Sequence, residues 1–296
     1  MAGVDPLHMA AKDSYGRRAA ELIGAASIEI SPREAVTEDG LHELLAPGTT
    51  VFVNHPASVT HHDIVAACAS LRRAGLIPVP HVAARRLASF TQARDFLQRA
   101  VAEAEIKSAL VIGGDPDRPI GPFSDCLDLL TTGVVEQSGI RELVLAGYPE
   151  GHPRIDSRTL AEALLAKMAL ARERGLAASL ITQFAFDPAP IRRWTASMRA
   201  EGVDSPIRIG IAGPASIATL AKFAVRCGIG ASRRALGRGH AAFARILVET
   251  GPDELIDALV AEEDPDAPID GLHLFTFGGL RRTAGWIRSK TGKAAV

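Results

Sequence analysis

Eight short runs of apolar and β-branched residues alternate along the chain with longer stretches that have helical periodicity. Most of these runs are apolar throughout, which is typical of parallel strands that are covered on both faces. The predicted strands are Ser27–Ser31, Thr50–Asn54, Ile77–His81, Ser108–Gly113, Glu142–Gly147, Ser179–Phe184, Ile207–Ala212 and Leu272–Thr276. Eight strand–helix alternations in one chain predict an α/β protein built as a (β/α)8 TIM barrel.

Three of the intervening stretches carry clear helix signals. Val59–Gly75 has Thr60 near its start and Asp63 three residues later, which is a variant of the capping box. Asp156–Gly175 places apolar residues on one stripe and ends in a glycine suited to a helix C-terminus. Pro214–Gly228 has a proline in its predicted first turn and a glycine at its end.

The alternative for this pattern is an open, doubly wound sheet, whose fingerprint is GxGxxG directly after the first strand. The first predicted strand runs into Pro32–Glu34 without a glycine, and the glycine-rich basic stretch Gly228–Gly239 follows a helix. That stretch is interpreted as a loop with solvated arginines rather than as a phosphate cradle. We find no internal repeat or linker, so we predict one catalytic barrel over residues 26–296 after an N-terminal extension over residues 1–25.

Composition narrows the classes of function. Hydrophobic residues make up 47% of the chain and charged residues 23%, which excludes a disordered protein. The formal net charge is −1, so there is no basic excess for nucleic acid. No apolar run reaches membrane-spanning length and no signal peptide is visible, so we expect a cytoplasmic protein with no membrane partner. Cys68, Cys126 and Cys227 are odd in number and far apart, which favours buried reduced thiols over disulfides or a zinc site.

In a (β/α)8 barrel the active site lies where the strands end. A carboxylate inside an apolar strand is costly, so Glu29 is either an ion-paired barrel residue or a functional acid. Asp115 is either functional or part of a Gly-Gly-Asp-Pro turn. The polar candidates at the strand ends are Glu29, Asn54, His81, Asp115, Tyr148, His152, Gln183 and Thr276.

This set suits a polar small molecule or a planar cofactor better than a metal or a hydrolytic nucleophile. His61 and His62 are adjacent and diverge on a helix, so no metal site is predicted. The chain has no GxSxG elbow for a serine nucleophile.

Five motifs, in order, resemble those of the methylenetetrahydrofolate reductases, flavin-linked TIM-barrel enzymes of folate one-carbon metabolism. The most specific is Tyr148–Pro153, which is close to the family's Y-P-E-x-H-P segment. Ser27–Pro32 is similar to its S-F-E-F-F-P strand, and Gly114–Pro116 falls at its R-G-D-P turn. Ile181–Asp187 is similar to I-T-Q-F-F-F-D, and His273–Thr276 to H-F-Y-T. The resemblance covers nearly the whole barrel, and the length suits the bacterial single-domain form.

The resemblance implies an enzyme that interconverts 5,10-methylene- and 5-methyltetrahydrofolate by hydride transfer from NADH or NADPH through bound FAD. Glu29 matches the family's general acid, which protonates a ring nitrogen of the folate, and we expect burial to raise its pKa for that task. Asp115 matches the aspartate beside the flavin and the pterin. Gln183 and Phe277 match folate-binding positions. The cofactor-binding positions implied are Asn54, His81, Gly114, Asp115, Tyr148, His152 and Phe275.

Departures from the family pattern leave alternatives open. Gly113 stands where many members have arginine, Asn54 replaces a threonine, and Gly278 and Gly279 replace an asparagine and an arginine. The alternatives are a flavin-independent reductase of the same fold and a non-catalytic folate- or flavin-binding subunit of a one-carbon complex. The sequence determines neither the direction of the reaction nor the choice of nicotinamide, and it is compatible with a homo-oligomer.

Overall fold

The computed structural model describes residues 16–38, 40–227 and 252–292. Eight parallel strands close into a barrel in sequence order, with the last strand paired to the first. The strands are β1 (Ser27–Ile30), β2 (Thr50–Val53), β3 (Ile77–Ala83), β4 (Ser108–Ile112), β5 (Glu142–Gly147), β6 (Ala177–Thr182), β7 (Ile207–Ala212) and β8 (Gly271–Phe275). The predicted (β/α)8 TIM barrel is confirmed.

Helices cover the outside of the barrel. They are α1 (16–24), α2 (Pro32–Thr37), α3 (Leu41–Leu44), α4 (His61–Arg73), α5 (Phe90–Ala104), α6 (Cys126–Thr131), α7 (Val134–Gln137), α8 (Ser157–Glu173), α9 (Pro188–Ala200), α10 (Ile217–Cys227), α11 (Pro252–Ala261) and α12 (Leu280–Thr291). A short 3-10 helix, Ala84–Arg86, follows β3. None of the helices in these described ranges combines the length and the apolar character needed to cross a membrane.

The capping box predicted for α4 is present. The Thr60 hydroxyl accepts a hydrogen bond from the Asp63 N–H at 3.2 Å, and the Asp63 carboxylate accepts one from the Thr60 N–H at 2.9 Å. The prediction for the helix after β7 was wrong at its start, because Pro214 lies ahead of α10. The cap there is Ser216, whose hydroxyl accepts a hydrogen bond from the Thr219 N–H at 3.2 Å. The stretch Gly228–Gly239 lies outside the described residues.

Strand ends differ from the predicted ones by up to two residues. β3 continues to Ala83 because Val82 and Ala83 still pair with β4, so His81 lies within the strand and not after it. β6 begins at Ala177, which pairs with Glu142 of β5. It ends at Thr182, before Gln183.

Two cores explain why the strands are apolar throughout. Alternate strand residues point to opposite faces of a sheet. The outward-facing set packs under the helices, as Ile28 and Val51 do. The inward-facing set fills the barrel, and its buried members are Phe52, Val79, Leu110, Val144 and Ile181. Ser27 and Glu29, which alternate with Ile28, therefore share the inward face of β1.

The segment before β1 contributes to the main core. Helix α1 buries Ala19, Leu22 and Ile23 there. Arg18 pairs with Glu263 at 3.1 Å, which ties α1 to the segment between α11 and β8. The division of the chain into an extension and a barrel stays a prediction, but the described part of that extension packs as an integral part of the barrel.

The cysteines are free thiols. Cys68 and Cys126 are buried, as predicted, whereas Cys227 is only half-buried at the end of α10.

Candidate active site

Glu29 lies on the inner face of β1, with 14% of its side chain exposed. Its carboxylate contacts polar side chains from three other strands or strand ends. The Nε2 atoms of His81 and His273 lie 3.4 and 3.7 Å from Oε2. The Asn54 side-chain amide donates a hydrogen bond of 3.3 Å to Oε1. Among the described residues, the side-chain partners of Glu29 are two imidazoles and an amide, and none is the arginine that the ion-pair alternative required.

Strand register explains why these groups meet. Glu29 pairs with Phe52 of β2 on one side and with Phe275 of β8 on the other. Asn54 follows Phe52 by two residues, and His273 precedes Phe275 by two, so each pair shares a side of its strand. The closed barrel turns these sides toward one another around the Glu29 carboxylate.

His273 is a member of this pocket to which the sequence analysis gave no role. Its side chain is fully buried, and its Nδ1 lies 2.9 Å from the Ser27 hydroxyl oxygen. That hydrogen bond orients the ring so that Nε2 is the nitrogen on the Glu29 side. The sequence held one signal for this residue. Residues two apart on a strand share a face, so Ser27 lies on the same face of β1 as Glu29, and His273 lies on the same face of β8 as Phe275.

The pKa of Glu29 is lowered, so the expected raised pKa was wrong. Burial would raise the pKa of this carboxyl. The positive charge of His81, together with the hydrogen bonds and charge supplied by His273 and Asn54, outweighs that effect. The pKa of His81 is also lowered, chiefly by burial and against the opposing charge of Glu29. Glu29 and His81 are therefore coupled: the neighbours of Glu29 favour its carboxylate form, whereas burial disfavours the charged form of His81.

An aromatic cluster borders the pocket on the β6–β8 side. It consists of Phe184, Phe186, Phe223, Phe275 and Phe277. Phe223 of α10 stacks on Phe277, with ring centroids 4.0 Å apart and planes inclined by 13°. Phe275 links the cluster to the Glu29 pocket, because its ring centroid lies 4.9 Å from that of His273. Phe277, one of the two predicted substrate-binding residues, stacks on Phe275 and so lies beside the Glu29 pocket.

Gln183 and Asp115 lie further from the carboxylate. The Gln183 side-chain oxygen accepts a hydrogen bond from the Phe184 N–H at 3.1 Å, which holds it next to the aromatic cluster. The Asp115 side chain is 73% exposed and lies 3.7 Å from Arg226 of α10. Within the described part of the chain, the contacts of Glu29 include neither residue. An ion pair as exposed as Asp115–Arg226 contributes about 0–1 kcal/mol, so Asp115 can readily exchange its partner.

The loops after β4 and β5 hold the other predicted cofactor-binding residues. The rings of Tyr148 and His152 meet edge to face, with centroids 5.5 Å apart. Burial raises the pKa of Tyr148 to about 12, and burial with the charge of Arg154 lowers the pKa of His152, so both rings are neutral at pH 7. Gly114 has φ of 93°, and a Cβ there would lie 3.0 Å from the Ala83 Cβ, so this turn requires glycine.

Gly113, Gly278 and Gly279, which depart from the family pattern, differ in how much space a side chain would have. A Cβ at Gly278 would lie 2.1 Å from the Pro214 carbonyl oxygen, so a side chain there forces the loop after β7 to move. Gly279 has φ of 92°, but a Cβ at Gly279 or at Gly113 would meet no atom of the described residues within 4 Å. Only the replacement at Gly278 is linked to a close approach of two loops at the mouth.

Among residues 16–38, 40–227 and 252–292, no group of three or more His, Cys, Asp or Glu side chains is arranged to hold a metal ion. The described site therefore consists of a carboxylate with imidazole partners, an aromatic cluster and peripheral polar loops.

The family model described as methylenetetrahydrofolate reductase matches residues 41–233, which is more than half of the chain. The chain belongs to the methylenetetrahydrofolate reductase family. The matched segment holds Asn54, His81 and Phe223. Membership of this family supports an oxidoreductase that acts on a folate.

Solved structures with a similar course of the chain share little sequence with it. DHPS from Yersinia pestis, in complex with a pterine-sulfa conjugate, is 9% identical, with a TM-score of 0.47 over 91% of this chain and 94% of that one. Dihydropteroate synthase from Thermus thermophilus is 12% identical, with a TM-score of 0.45 over 89% and 92%. The 3-dehydroquinate dehydratase from Geobacillus kaustophilus is 13% identical, with a TM-score of 0.42 over 90% of each chain. The fold assignment itself rests on the strand order of this chain.

Proposed function

We propose that this reductase-family protein interconverts 5,10-methylenetetrahydrofolate and 5-methyltetrahydrofolate, with NADH or NADPH as hydride donor and FAD as bound cofactor. The observation that carries the proposal is the Glu29 carboxylate, held at the C-terminal end of the barrel within reach of His81 and His273. Family membership supplies the substrate class.

The proton chemistry belongs to Glu29. Reduction of the methylene group consumes one hydride from the nicotinamide and one proton, which opens the five-membered ring at a ring nitrogen. Glu29 is the group that delivers this proton from its carboxyl oxygen to that nitrogen. Because His81, His273 and Asn54 lower the pKa of Glu29, the carboxyl must be protonated during the cycle, when bound substrate excludes water and weakens the stabilisation of the carboxylate.

The aromatic cluster provides the binding surface for the pterin. Phe275 and Phe277 present ring faces and edges next to the Glu29 pocket, and aromatic pairs of this kind favour a planar ligand. Gln183 lies beside the cluster with an amide that can bind the pterin edge. Asp115 can accept a pterin N–H after it exchanges Arg226 for the ligand.

The residues at the mouth fit a flavin. Asn54 Oδ1 and His81 Nε2 are buried polar atoms without a hydrogen-bond partner among the described residues. Gly114 leaves the backbone of the β4 turn open to close approach, and Tyr148 and His152 add neutral polar rings. These residues, with Phe275, would hold the isoalloxazine and ribityl portions of FAD. When bound, FAD would carry the hydride between the nicotinamide and the folate.

The decisive assay combines a spectrum with a product measurement. Protein purified under native conditions should show flavin absorbance, and it should form 5-methyltetrahydrofolate from the methylene compound with NADH or NADPH under anaerobic conditions. Turnover by a protein that stays colourless and does not respond to added FAD would establish the flavin-independent alternative. Stoichiometric folate binding without oxidation of either nicotinamide would contradict the enzyme and support the binding subunit.

A further inference from the structure

The last strand of the barrel, β8, sends two polar side chains to β1 around Glu29. His273 lies beside Ser27, its partner in the strand register. Thr276 follows Phe275, which is the register partner of Glu29. Each side chain makes a hydrogen bond to β1, one of them two residues before Glu29 and the other at Glu29 itself. The acid is therefore held between two side-chain contacts from one neighbouring strand.

The His273 ring is fixed in orientation. Its side chain is fully buried, and the rings of Phe52 and Phe275 meet it edge to face, with centroids 4.8 and 4.9 Å away. Nδ1 lies 2.9 Å from the Ser27 hydroxyl oxygen. These contacts turn Nε2 toward Oε2 of Glu29, at 3.7 Å.

The Ser27 hydroxyl assigns the ring proton of His273. It has one proton to donate, and its acceptors are Nδ1 at 2.9 Å and the Leu272 carbonyl oxygen at 3.4 Å. The shorter contact lies in the preferred range for a hydrogen bond, so the hydroxyl donates to Nδ1 and the ring proton lies on Nε2. Nε2 is buried and has no other hydrogen-bond partner among the described residues. Its N–H is therefore directed at the Glu29 carboxylate.

Thr276 holds the backbone of Glu29. Its hydroxyl donates a hydrogen bond of 2.7 Å to the Glu29 carbonyl oxygen. The register of β1 with β8 ends at Glu29 and Phe275, and the Phe277 N–H bonds back to the Phe275 carbonyl at 2.9 Å. The Thr276 side chain thus continues the contact between the two strands beyond their last backbone pair.

We propose that β8 positions Glu29 for proton delivery, with the His273 Nε2–H directed at its carboxylate and the Thr276 hydroxyl anchoring its backbone. This arrangement rests on the proposed folate reaction, to which it adds two positioning residues. Delivery of a proton requires the carboxyl oxygen to lie within hydrogen-bond reach of the folate nitrogen, and a displacement of about 1 Å can cost about 10²-fold in rate. A side chain held at both its carboxylate and its backbone has little freedom to leave that position.

His273 also acts on the charge of the acid. Burial works to raise the pKa of Glu29, and the contacts with His81 and His273 work to lower it. A further titratable group near Glu29 in the described ranges is Cys227, at the end of α10. Loss of the donor at residue 273 alone should therefore move the titration of Glu29 to higher pH, because burial is then less strongly opposed.

Two amide variants at residue 273 separate the contact with Ser27 from the contact with Glu29. In His273→Gln the amide lies near the place of Nε2 and can still donate to Glu29. In His273→Asn the amide lies near the place of Nδ1, so it can bond to Ser27 but does not reach Glu29. The two variants therefore differ in the group that faces the acid, while both keep a polar side chain in the same cavity.

The titration of the Glu29 carboxyl distinguishes these variants. It can be followed by NMR in protein labelled with ¹³C-glutamate, where the signal is assigned by its absence in Glu29→Gln. We expect the midpoint to move to higher pH in His273→Asn and to stay close to that of the wild type in His273→Gln. An unchanged midpoint in His273→Asn, or an equal displacement in both variants, would overturn the positioning by His273.

Thr276→Val tests the second contact, because valine keeps the shape of threonine but lacks the hydroxyl. We expect kcat for folate reduction to fall about 10- to 100-fold with little change in KM, and Thr276→Ser to regain most of the activity. Thr195→Val is the matched control, since the Thr195 hydroxyl also donates to a backbone carbonyl, that of Ile191 at 3.0 Å, but lies in α9. An unaltered kcat in Thr276→Val, or an equal loss in Thr195→Val, would overturn the positioning by Thr276.

The titration needs no turnover, so it separates the positioning by His273 from the proposed function. If the wild type forms no 5-methyltetrahydrofolate but the two amide variants titrate as expected, the proposed function fails while the placement of His273 stands. If the wild type is active but Glu29 titrates alike in the wild type and both variants, the function stands and the positioning by His273 is overturned.

Discussion

The Nε2 atom of His81 on β3 lies 3.4 Å from a carboxylate oxygen of Glu29 on β1, across the intervening strand β2. The two side chains point into the barrel, where they are largely removed from water. This contact couples the protonation of the carboxyl to that of the ring, since each charge shifts the pKa of the other. The chemistry of the site therefore depends on the pair rather than on an isolated acid.

Acid should destabilise the protein through its buried histidines. The pKa of His55 falls from its usual 6.5 to about 3 on folding, so the unfolded chain binds more protons between these values, and stability is lost as the pH falls through this window. The lowered pKa of Glu29 acts in the same direction: its contribution is present above its unfolded pKa and is lost as the pH drops through the folded value.

Urea midpoints at a series of pH values measure this effect. Between about pH 6.5 and 3, the slope of the unfolding free energy against pH reports how many more protons the unfolded chain binds than the folded one. In His55→Gln this number should be smaller by up to about one. His62→Gln, at an exposed ring, should keep the wild-type slope. Equal slopes in the wild type and His55→Gln would mean that His55 titrates normally.

A side chain at residue 278 should lower the unfolding free energy, because the loops after β7 and β8 approach each other closely there. Because a Cβ there would lie 2.1 Å from the Pro214 carbonyl oxygen, we expect Gly278→Ala to cost about 1–3 kcal/mol of unfolding free energy. The matched control is Gly285→Ala in α12, where a Cβ would have no neighbour within 4 Å in the described part of the chain. That substitution should add about 0.5–1 kcal/mol, because alanine favours a helix interior. Thermal and urea unfolding of both variants would show whether the effects have opposite signs.

Removal of the aromatic stack should weaken folate binding. Phe277 stacks on Phe223 and meets Phe184 edge-on at 4.8 Å, and such pairs are worth about 0.5–1.5 kcal/mol beyond burial. If the pterin makes one contact of this strength with the Phe277 ring, Phe277→Leu should raise the KM for the folate about two- to ten-fold. Phe90→Leu, at the exposed start of α5, should leave it unchanged. A KM that responds equally to both substitutions would place the folate elsewhere.

The sequence predicted the barrel because hydrophobic periodicity reports burial directly. Both faces of each strand are buried, by the helices on one side and by residues such as Phe52 on the other, so apolar runs were a sufficient signal. Strand ends were less accurate, as for His81, because they depend on which residues of the neighbouring strand remain to be paired.

The environment of the site could be predicted only in part. A motif selected Glu29 and a strand end selected His81, but the direction of the Glu29 pKa shift depends on how the barrel brings His81 and His273 to within 3.4 and 3.7 Å of the carboxylate. The burial of His55 depends on its contact with His61 of α4, which packs on Phe96 of α5. Apart from the two-residue spacing that puts His273 and Phe275 on the same face of β8, contacts of this kind leave no local pattern in the sequence, because tertiary structure sets them.

The most direct test of the central claim compares two activities in Glu29→Gln. Glutamine keeps the size of Glu29 and one acceptor oxygen, but it cannot deliver a proton as a carboxyl does. We expect the rate of 5-methyltetrahydrofolate formation to fall by about 10²- to 10⁴-fold, while NAD(P)H oxidation with an artificial electron acceptor stays near the wild-type rate. Equal loss of both activities, or full retention of folate reduction, would contradict the assignment of Glu29 as the proton donor.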